Sequence, residues 1–338
     1  MDLILLKIFL INLVTCFTLL LISLLTIYFL WPSKLMEMTN WFLSQKYGLK
    51  KNYVKHEGYQ FCYYSQGKPG FEPSILLLHG FSLNKDMWLM SMPYFPKGTH
   101  SIFVDLPGHG ETSCLPGDRY KAVDQAKRLH QFVECTGLCR TPFHLVGISM
   151  GGMIAGVYAA LYPSDLCALS LLCPAGVKYP EDNVFMKHLK ELNKNHKLDC
   201  DNPLVPLDVK GVRHLFKTGM FRSMFIPYQI LKGLVKLREY DNQFYSKCFI
   251  DLAQDDNLYC LHDHINKITT PMQVIWGKDD IILDPSGAEI LARAIPGTQV
   301  HLLDNCGHFI LSDLPKIPID LIMDFHTSVW FTMDKKLV

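Results

Sequence analysis

The sequence has few charged residues, and it lacks paired-cysteine motifs and N-glycosylation signals. Charged residues make up 19% of its 338 residues, and the formal net charge is +1. Because no dense stripe of Lys and Arg is visible, we do not expect a nucleic-acid partner. The 11 cysteines form no Cys-x-x-Cys pair, which excludes zinc-finger spacing. These absences, together with the lack of any Asn-x-Ser/Thr, favour a reducing, cytosolic environment for most of the chain.

The sequence also lacks Gly-x4-Gly-Lys-Ser/Thr, the phosphate-binding pattern of many nucleotide-binding proteins. The glycine-rich segment 105–110, Asp-Leu-Pro-Gly-His-Gly, is therefore interpreted as a structural turn. With neither a phosphate loop nor metal-ligand spacing in the sequence, we expect no cofactor and no metal.

An uncharged, apolar stretch covers residues 8–31. As a helix, these 24 residues would measure about 36 Å, enough to cross a hydrocarbon core of roughly 30 Å. A cleaved signal peptide has a shorter apolar region and a small-residue cleavage site, and a buried helix would show a polar face. Tyr28 and Trp31 stand at the end of the stretch, where aromatic side chains favour the membrane interface. We therefore predict a short tail over 1–7 and an uncleaved transmembrane anchor over 8–31.

Flanking charges predict the orientation of this anchor. Asp2 and Lys7 precede it. The charged side chains between the stretch and the first predicted strand are basic apart from Glu37 and Glu57, and the lysines among them are Lys34, Lys46, Lys50, Lys51 and Lys55. Because positively charged flanks tend to stay on the cytosolic side, we expect the body of the chain in the cytosol. Residues 32–58 are predicted to form a membrane-proximal linker.

Along the rest of the chain, short apolar segments alternate with segments that have the periodicity of a helix. One of them, residues 74–79, is apolar nearly throughout, as expected of a parallel strand that is covered on both faces. The seven predicted strands are residues 59–65, 74–79, 100–105, 143–146, 168–173, 272–276 and 299–303. Such alternation predicts an open, mostly parallel α/β sheet with helices on both faces.

About 95 residues after the strand 168–173 show helical character and no strand pattern. An insertion of this size is typical of a cap. We predict a helical cap over 177–270 and an α/β core over 59–176 and 271–338.

The pentapeptide Gly147-Ile148-Ser149-Met150-Gly151 connects a predicted strand to an apolar, helical segment. A sharp turn between strand and helix brings two backbones together, so that only glycine fits at its flanks. The serine then stands at the tip of the turn, next to a helix N-terminus that favours anions. This pattern predicts that Ser149 is a nucleophile.

A serine hydroxyl needs an imidazole to accept its proton, and the imidazole needs a carboxylate to orient it. Both follow predicted strands near the C-terminus, at the sheet edge where ligands bind in open α/β folds. His308, in a Gly-His turn after the last strand, is the predicted base. Asp280 is the preferred acid, with Asp279 and Asp284 as alternatives.

Acyl transfer also needs hydrogen-bond donors for the tetrahedral oxyanion. The N–H of Met150, directly after the nucleophile, is one candidate, and the N–H of Phe81 in the loop after the strand 74–79 is the other. Gly80 allows a close backbone approach there. His79 is expected to brace this loop by hydrogen bonding rather than to take part in the chemistry.

The predicted cap is rich in Phe and Met, and these side chains have three possible roles. They can pack the cap, line an acyl-chain channel or contact the bilayer. The candidate substrate-binding residues are Phe216, Met220, Phe221 and Met224.

Together these motifs resemble those of α/β-hydrolase-fold serine hydrolases, from about residue 50 to the end of the chain. The segments that carry the resemblance are 79–82, 105–110, 147–152, 276–280 and 306–308. It implies an eight-stranded sheet with a cap inserted after the sixth core strand. It also implies that Ser149, Asp280 and His308 are nucleophile, acid and base.

Within this family, the chain resembles the membrane-anchored monoacylglycerol lipases more closely. Residues 59–63, 130–135 and 142–147 carry this likeness, with the anchor end at 31–33. It implies hydrolysis of 2-arachidonoylglycerol, an endocannabinoid, and of other monoacylglycerols, with some activity on lysophospholipids. It further implies a cytosol-facing domain on late endosomal or lysosomal membranes, with the plasma and mitochondrial membranes as alternatives.

Three other functions stay open at this point. The spacing His308-x4-Asp313 is met in acyltransferases, although Asp313 also suits the start of a helix. Carbon–carbon bond hydrolases share the Ser-Met-Gly-Gly elbow. A non-catalytic membrane-binding protein is the third alternative, which the presence of all three catalytic side chains disfavours.

Overall fold

A single sheet of eight strands forms the centre of the molecule in a computed structural model, which describes residues 3–195, 197–198, 201–254 and 256–334. The strands are β1 (Lys50–His56), β2 (Tyr59–Gln66), β3 (Ile75–Leu78), β4 (Ser101–Val104), β5 (Phe143–Ile148), β6 (Leu166–Leu172), β7 (Met272–Gly277) and β8 (Gln299–Leu303). Their order across the sheet is β1-β2-β4-β3-β5-β6-β7-β8. β2 is antiparallel to both β1 and β4, and every other pair is parallel. The predicted mostly parallel, eight-stranded sheet is confirmed.

The strands at the centre of the sheet are buried along their whole length. Every residue of β3, β5, β6 and β7 is buried, so both faces of these strands are covered. β1 and β8 lie at the two edges and alternate between exposed and partly buried residues. This difference explains why the apolar central strands are visible in the sequence, whereas β1 is not.

The predicted linker over 32–58 needs a correction. Residues 32–46 are helical, but Lys50–His56 form β1 and pair with β2 over seven residues. Three of those seven residues are lysines, which suit an exposed edge strand and suppress edge-to-edge association. The sheet therefore begins at Lys50 rather than at residue 59.

Helices cover the sheet and extend beyond it. They are α1 (Leu3–Leu30), α2 (Pro32–Lys46), α3 (Ala122–Thr136), α4 (Met150–Leu161), α5 (Val184–Lys194), α6 (Val209–Gly219), α7 (Tyr228–Arg238), α8 (Asn242–Leu252), α9 (Cys260–His264), α10 (Gly287–Ala294), α11 (Ile310–Asp313) and α12 (Ile317–Asp334). A 3₁₀ segment, Lys85–Tyr94, follows β3. α4 packs against β5 and β6, and α12 packs against β6.

α1 is long and apolar enough to cross a membrane. Its 28 residues have a mean hydropathy of 2.6 in the most apolar window, and its side chains are almost all exposed. The hydroxyls of Thr18, Ser23 and Thr26 donate to carbonyls four residues earlier, so these three donors are satisfied within the helix. The helix begins at Leu3 and ends at Leu30, so residues 3–7 of the predicted tail belong to it.

The cap lies between β6 and β7, as predicted, and contains α5 to α9. No strand occurs in the described part of residues 177–270. Leu231, Cys248 and Leu261 of the cap are completely buried, and the last two belong to the same apolar core as the sheet. Parts of the predicted ranges lie outside the described residues: residues 1–2, 196, 199–200, 255 and 335–338.

Candidate active site

Ser149 occupies a strained turn between β5 and α4. Its φ is +56°, a left-handed value that a residue with a Cβ seldom adopts. A Cβ on Gly147 would lie 2.2 Å from the Gly151 carbonyl oxygen, and one on Gly151 would lie 2.4 Å from the His79 carbonyl oxygen. The Ser149 N–H donates to the Leu172 carbonyl at 2.9 Å, which ties the turn to β6. The two glycines are therefore required by contact, as the sequence pattern predicts.

Ser149, His308 and Asp280 form a continuous hydrogen-bonded chain. Ser149 Oγ lies 3.0 Å from His308 Nε2, and His308 Nδ1 lies 2.7 Å from Asp280 Oδ2. The acid follows β7 and the imidazole follows β8, so parallel strands deliver both to one sheet edge. His308 and Asp280 are buried. Such an arrangement can transfer a proton from a serine hydroxyl to an oriented imidazole.

Asp280 is held by more donors than the histidine alone. Its Oδ1 accepts the N–H groups of Ile282 and Leu283, both at 2.9 Å, and Oδ2 also accepts the indole N–H of Trp276 at 3.1 Å. These contacts fix the position of the carboxylate beside the imidazole. The alternative acids face elsewhere. Asp279 accepts from the Cys306 N–H, and Asp284 accepts from the Ser286 N–H.

The pKa of His308 is raised well above its ordinary value of 6.5. Burial alone would lower it, because desolvation disfavours the imidazolium, but the adjacent Asp280 carboxylate outweighs that effect. A raised pKa makes His308 a stronger base and stabilises the imidazolium that forms when it accepts a proton. The same carboxylate selects the tautomer with Nδ1 protonated and Nε2 facing the serine.

Asp313 connects the cap to residues 304–309, which carry His308 between β8 and α11 and are called the histidine loop. Sequence reasoning missed this role. Asp313 Oδ2 accepts two backbone N–H groups, from Gly307 and from Phe221, both at 2.9 Å. Beside them, the Phe309 N–H donates to the Gly219 carbonyl at 2.7 Å. Asp313 thus accepts one N–H from the loop that carries His308 and one from the cap. The six-residue spacing from Gly307 to Asp313 was the only available signal, because Phe221 is far away in sequence.

The loop after β3 brings Phe81 beside the nucleophile. A Cβ on the neighbouring Gly80 would lie 3.6 Å from Ser149 Cβ. Met150 is the first residue of α4, where helical N–H groups have no partner within the helix. In the described chain, neither the Phe81 nor the Met150 N–H donates to another protein group. Both candidate oxyanion donors therefore adjoin Ser149 with their N–H groups free.

His79 braces this loop, as expected. Its Nδ1–H donates to the Gly80 carbonyl at 2.8 Å, and its Nε2 accepts the Leu106 N–H at 3.0 Å. Burial lowers the pKa of His79 to about 4, so the ring is neutral at pH 7. The imidazole connects the loop after β3 to the loop after β4.

A buried ion pair lies behind the same loop and was not predicted. Lys85 Nζ lies 2.7 Å from Asp105 Oδ2, and the Lys85 N–H donates to Asp105 Oδ1 at 2.7 Å. Burial acts to lower the pKa of Lys85, but the Asp105 carboxylate raises it above its ordinary value. Gly110 passes so close that a Cβ there would lie 2.4 Å from Asp105. The glycine-rich segment 105–110 is thus a structural turn around this pair, as predicted.

Arg238 at the end of α7 reaches the loop that carries Phe81. Its guanidinium donates to the Ser82 carbonyl at 3.1 Å and to the Ser82 hydroxyl at 3.0 Å. A third bond goes to the Leu204 carbonyl at 3.3 Å. Ser82 has a φ of +54°, so this contact stabilises a strained residue directly after Phe81.

The four candidate substrate-binding residues occupy different environments. The Phe216 ring packs edge-on against Phe309, next to His308, with 5.9 Å between ring centroids. Met220 is partly buried beside the histidine loop. Phe221 and Met224 are 40% and 60% exposed. The structure therefore places Phe216 and Met220 near the catalytic set and turns Phe221 and Met224 towards the outside.

Cys173 is buried beside the histidine, and its Sγ–H donates to the His308 carbonyl at 3.5 Å. Donor atoms of Cys173, Asp280 and His308 lie within 4.8 Å of one another, the one such group among the described residues. Burial raises the pKa of the Cys173 thiol, which opposes the thiolate that a metal requires. Since Asp280 already accepts four N–H groups, we assign no metal site.

Comparisons with known proteins agree with this geometry. Residues 75–316 match the model of the Alpha/beta hydrolase family. The chain is 46% identical over 310 residues to the monoacylglycerol lipase ABHD6 of Mus musculus, covering 92% of each chain, and 45% identical over 309 residues to that of Homo sapiens, covering 91% of each. Among solved structures, a bacterial membrane phospholipase A superposes with a TM-score of 0.79 at 27% identity, covering 96% of this chain and 99% of that one.

Proposed function

The chain belongs to the alpha/beta hydrolase family, and we propose that it is a membrane-anchored serine lipase that hydrolyses monoacylglycerols to fatty acid and glycerol. The observation that carries this proposal is the hydrogen-bonded chain from Ser149 through His308 to Asp280. The substrate class rests on the 46% identity to a monoacylglycerol lipase over nine-tenths of the chain.

In the acylation half, Ser149 Oγ attacks the ester carbonyl of the bound lipid. His308 Nε2 accepts the hydroxyl proton across the 3.0 Å contact, and Asp280 stabilises the imidazolium that results. The carbonyl oxygen becomes an oxyanion beside the N–H groups of Phe81 and Met150. His308 then returns the proton to the leaving glycerol oxygen, and an acyl-enzyme remains.

In the deacylation half, water takes the place of glycerol. His308 accepts a proton from the water as it attacks the acyl carbonyl, and the same two N–H groups face the second oxyanion. Collapse of this intermediate expels Ser149 Oγ, which regains its proton from His308. The products are a fatty acid and the free enzyme.

The acyl chain of the substrate lies against the cap. Phe216 and Met220, beside Phe309 and the histidine loop, supply apolar contacts near the reacting ester. Phe221 and Met224 continue this apolar surface outwards. A 2-arachidonoylglycerol chain fits such a surface, and lysophospholipids, which have one acyl chain, are secondary substrates.

We also propose that the catalytic domain faces the cytosol, on late endosomal or lysosomal membranes. The five lysines between residues 34 and 55 support this orientation, because Lys7 is the one Lys or Arg that precedes the apolar stretch 8–31. Protease protection in sealed vesicles tests the orientation, and imaging of the tagged chain tests the membrane.

The central test is the hydrolysis rate of the full chain in lipid nanodiscs across mono-, di- and triacylglycerols and lysophospholipids. We expect monoacylglycerols to be cleaved fastest. The Ser149→Ala variant should hydrolyse them at least about 1000-fold more slowly. Ser164→Ala, at an exposed position between α4 and β6, is the matched control. Labelling by a fluorophosphonate should follow the same pattern. Full activity of Ser149→Ala in a folded chain would refute the proposal.

A further inference from the structure

The near-neutral total charge hides a strong local imbalance in the cap. Residues 209–238 contain no Asp or Glu. The same 30 residues contain seven basic side chains: Lys210, Arg213, Lys217, Arg222, Lys232, Lys236 and Arg238. They form α6, a connecting loop and α7, which pack against each other, and we call residues 209–238 the basic hairpin.

Exposure separates these basic residues into two groups. Arg238 is largely enclosed and holds Ser82, whereas the other six are exposed. One of the six, Lys236, pairs with Glu239 just beyond the hairpin. The remaining five make no ion pair with another described residue. A surface with this charge attracts anions.

The connecting loop of the hairpin is exposed and apolar. Five consecutive residues, Phe221 to Phe225, are exposed, and one of them is the cation Arg222. Phe225 is 86% exposed and Met224 is 60% exposed, and Tyr228 follows at 59%. Large apolar side chains at the tip of a basic surface are typical of elements that enter a bilayer interface.

The packing of α7 on α2 brings the hairpin next to the end of the transmembrane helix. A Cβ on Gly233 would lie 3.1 Å from the backbone carbon of Pro32 and 2.9 Å from Met36 Sδ. Pro32 follows Leu30, the last residue of α1, by two positions. The hairpin thus contacts the chain at the point where it leaves the apolar helix, which is where the membrane surface must lie if α1 spans the bilayer.

We propose that the basic hairpin docks on an anionic bilayer surface, with the loop Phe221–Phe225 inserted among the lipids and the exposed Lys and Arg side chains at the headgroups. The proposal rests on the membrane-anchored lipase proposed above, and it adds a second membrane contact that the catalytic domain itself supplies. Covalent continuity with α1 selects the bilayer as occupant, rather than another anionic partner.

This contact lies close to the catalytic set. Phe221 donates its N–H to Asp313, and Gly219 accepts from Phe309, next to His308. A lipid that leaves the bilayer beside Phe221 therefore meets Met220 and the histidine loop without crossing water. The hairpin then serves as the entry side for a substrate that resides in the membrane.

The first experiment measures depth directly. Phe225→Trp is compared with Phe71→Trp in the full chain, both in a Trp31→Phe, Trp41→Phe background that removes membrane-proximal tryptophans. Phe71 is 97% exposed, but it lies in the loop before β3, at the opposite edge of the sheet from the catalytic residues. In nanodiscs with brominated acyl chains, we expect at least about twofold quenching of the Trp at 225 relative to unbrominated lipid, and almost none at 71.

Equal, weak quenching at the two positions would overturn the proposal. The same result is expected if the hairpin contacts a protein instead of the bilayer. The measurement needs no turnover. A chain that fails to cleave monoacylglycerols, which would refute the proposed function, can therefore still show the docking.

The second experiment varies lipid charge. Arg222→Gln with Lys232→Gln is compared with Lys68→Gln and Lys97→Gln, exposed lysines in the loops before β3 and β4. In the control pair, we expect phosphatidylserine to raise both the quenching of the Trp at 225 and the hydrolysis rate of monoacylglycerol in nanodiscs. In the hairpin pair, we expect both rises to be about threefold smaller. Turnover of a soluble short-chain ester should be equal in both. An identical response to phosphatidylserine would contradict the role of the basic residues.

Discussion

The catalytic edge of the sheet and the basic hairpin of the cap lie next to each other but are built in opposite ways. At the edge, His308 and Asp280 are buried, and each atom that takes part in the proton transfer has a named partner within about 3 Å. In the hairpin, the functional candidates are exposed side chains, and among the exposed cations Lys236 alone forms an ion pair with a described residue. Hydrogen bonds preorganise the first region, whereas charge and apolar surface define the second.

Polar contacts through two side chains, Arg238 and Asp313, connect these regions. Arg238 at the end of the hairpin binds Ser82, next to Phe81, and the Phe221 N–H in its loop binds Asp313, next to the histidine loop. The cap thus reaches both the oxyanion side and the base side of the catalytic set. Substitutions that weaken the catalytic edge, the ion pair behind it or these contacts test the comparison between the two regions.

The largest effect is expected from Asp280→Asn. The amide no longer selects the productive tautomer of His308, and we expect kcat on a monoacylglycerol to fall by about 10⁴-fold. Asp279→Asn is the matched control, because Asp279 is adjacent in sequence but exposed, and among the described residues its carboxylate accepts only the Cys306 N–H. Similar losses in the two variants would show that the edge is not organised by Asp280.

The pH profile of the activity that remains in Asp280→Asn shows whether Asp280 raises or lowers the pKa of His308. His308 must be neutral to act as a base, so wild-type kcat/KM rises as the pH passes upward through the pKa of His308, which Asp280 raises above 6.5. Without the carboxylate, burial lowers that pKa, and the rising limb should move to lower pH. A limb that stays in place or moves to higher pH would contradict the assignment of His308 as the titrating base.

The second effect concerns the support behind the edge. Lys85→Met leaves the Asp105 carboxylate buried without its cation, and we expect a loss of about 3–5 kcal/mol in the free energy of unfolding. Urea unfolding followed by the fluorescence of the buried Trp88 and Trp276 measures it. Lys51→Met removes an exposed partner of Glu111 and should cost less than about 1 kcal/mol. A comparable small loss for Lys85→Met would show that the pair is not structural.

The difference between the two regions also sets how much of them the sequence reveals. Gly147 and Gly151 are visible because contact at 2.2–2.4 Å allows no Cβ, and the apolar strands β3 to β7 are visible because both faces are buried. These features are local, so a sequence pattern reports them. The order Ser149, Asp280, His308 then follows from where the strands end.

The features that sequence reasoning missed join residues of ordinary type across long separations. Lys85 and Asp105 are 20 residues apart, Phe221 and Asp313 are 92 apart, and Ser82 and Arg238 are 156 apart. A lysine, an aspartate or an arginine gives no local sign that it is buried and paired. β1 was missed for a related reason, since an edge strand rich in lysine resembles a polar linker.

A smaller effect is expected from Arg238→Met, which keeps the apolar stem but removes the donors to Ser82. The strained loop that carries Phe81 then loses a constraint, and we expect kcat to fall by about 10- to 100-fold with little change in KM. Lys236→Met, on the exposed side of the same helix, should leave both parameters unchanged on a soluble short-chain ester. A change confined to KM would indicate that Arg238 supports substrate binding instead of the oxyanion loop.

The smallest effect should come from Asp313→Ala. It frees the N–H groups of Gly307 and Phe221, so the histidine loop and the cap lose a shared acceptor, while Gly219 still accepts from Phe309. We expect about a tenfold lower kcat and an equally lower rate of fluorophosphonate labelling, because His308 is held less firmly at Ser149. Asp324→Ala, at an exposed position on α12, is the control. A merely structural role would lower the unfolding midpoint and leave labelling of the folded enzyme unchanged. Loss of labelling at an unchanged midpoint would instead identify Asp313 as the residue through which the cap positions the base.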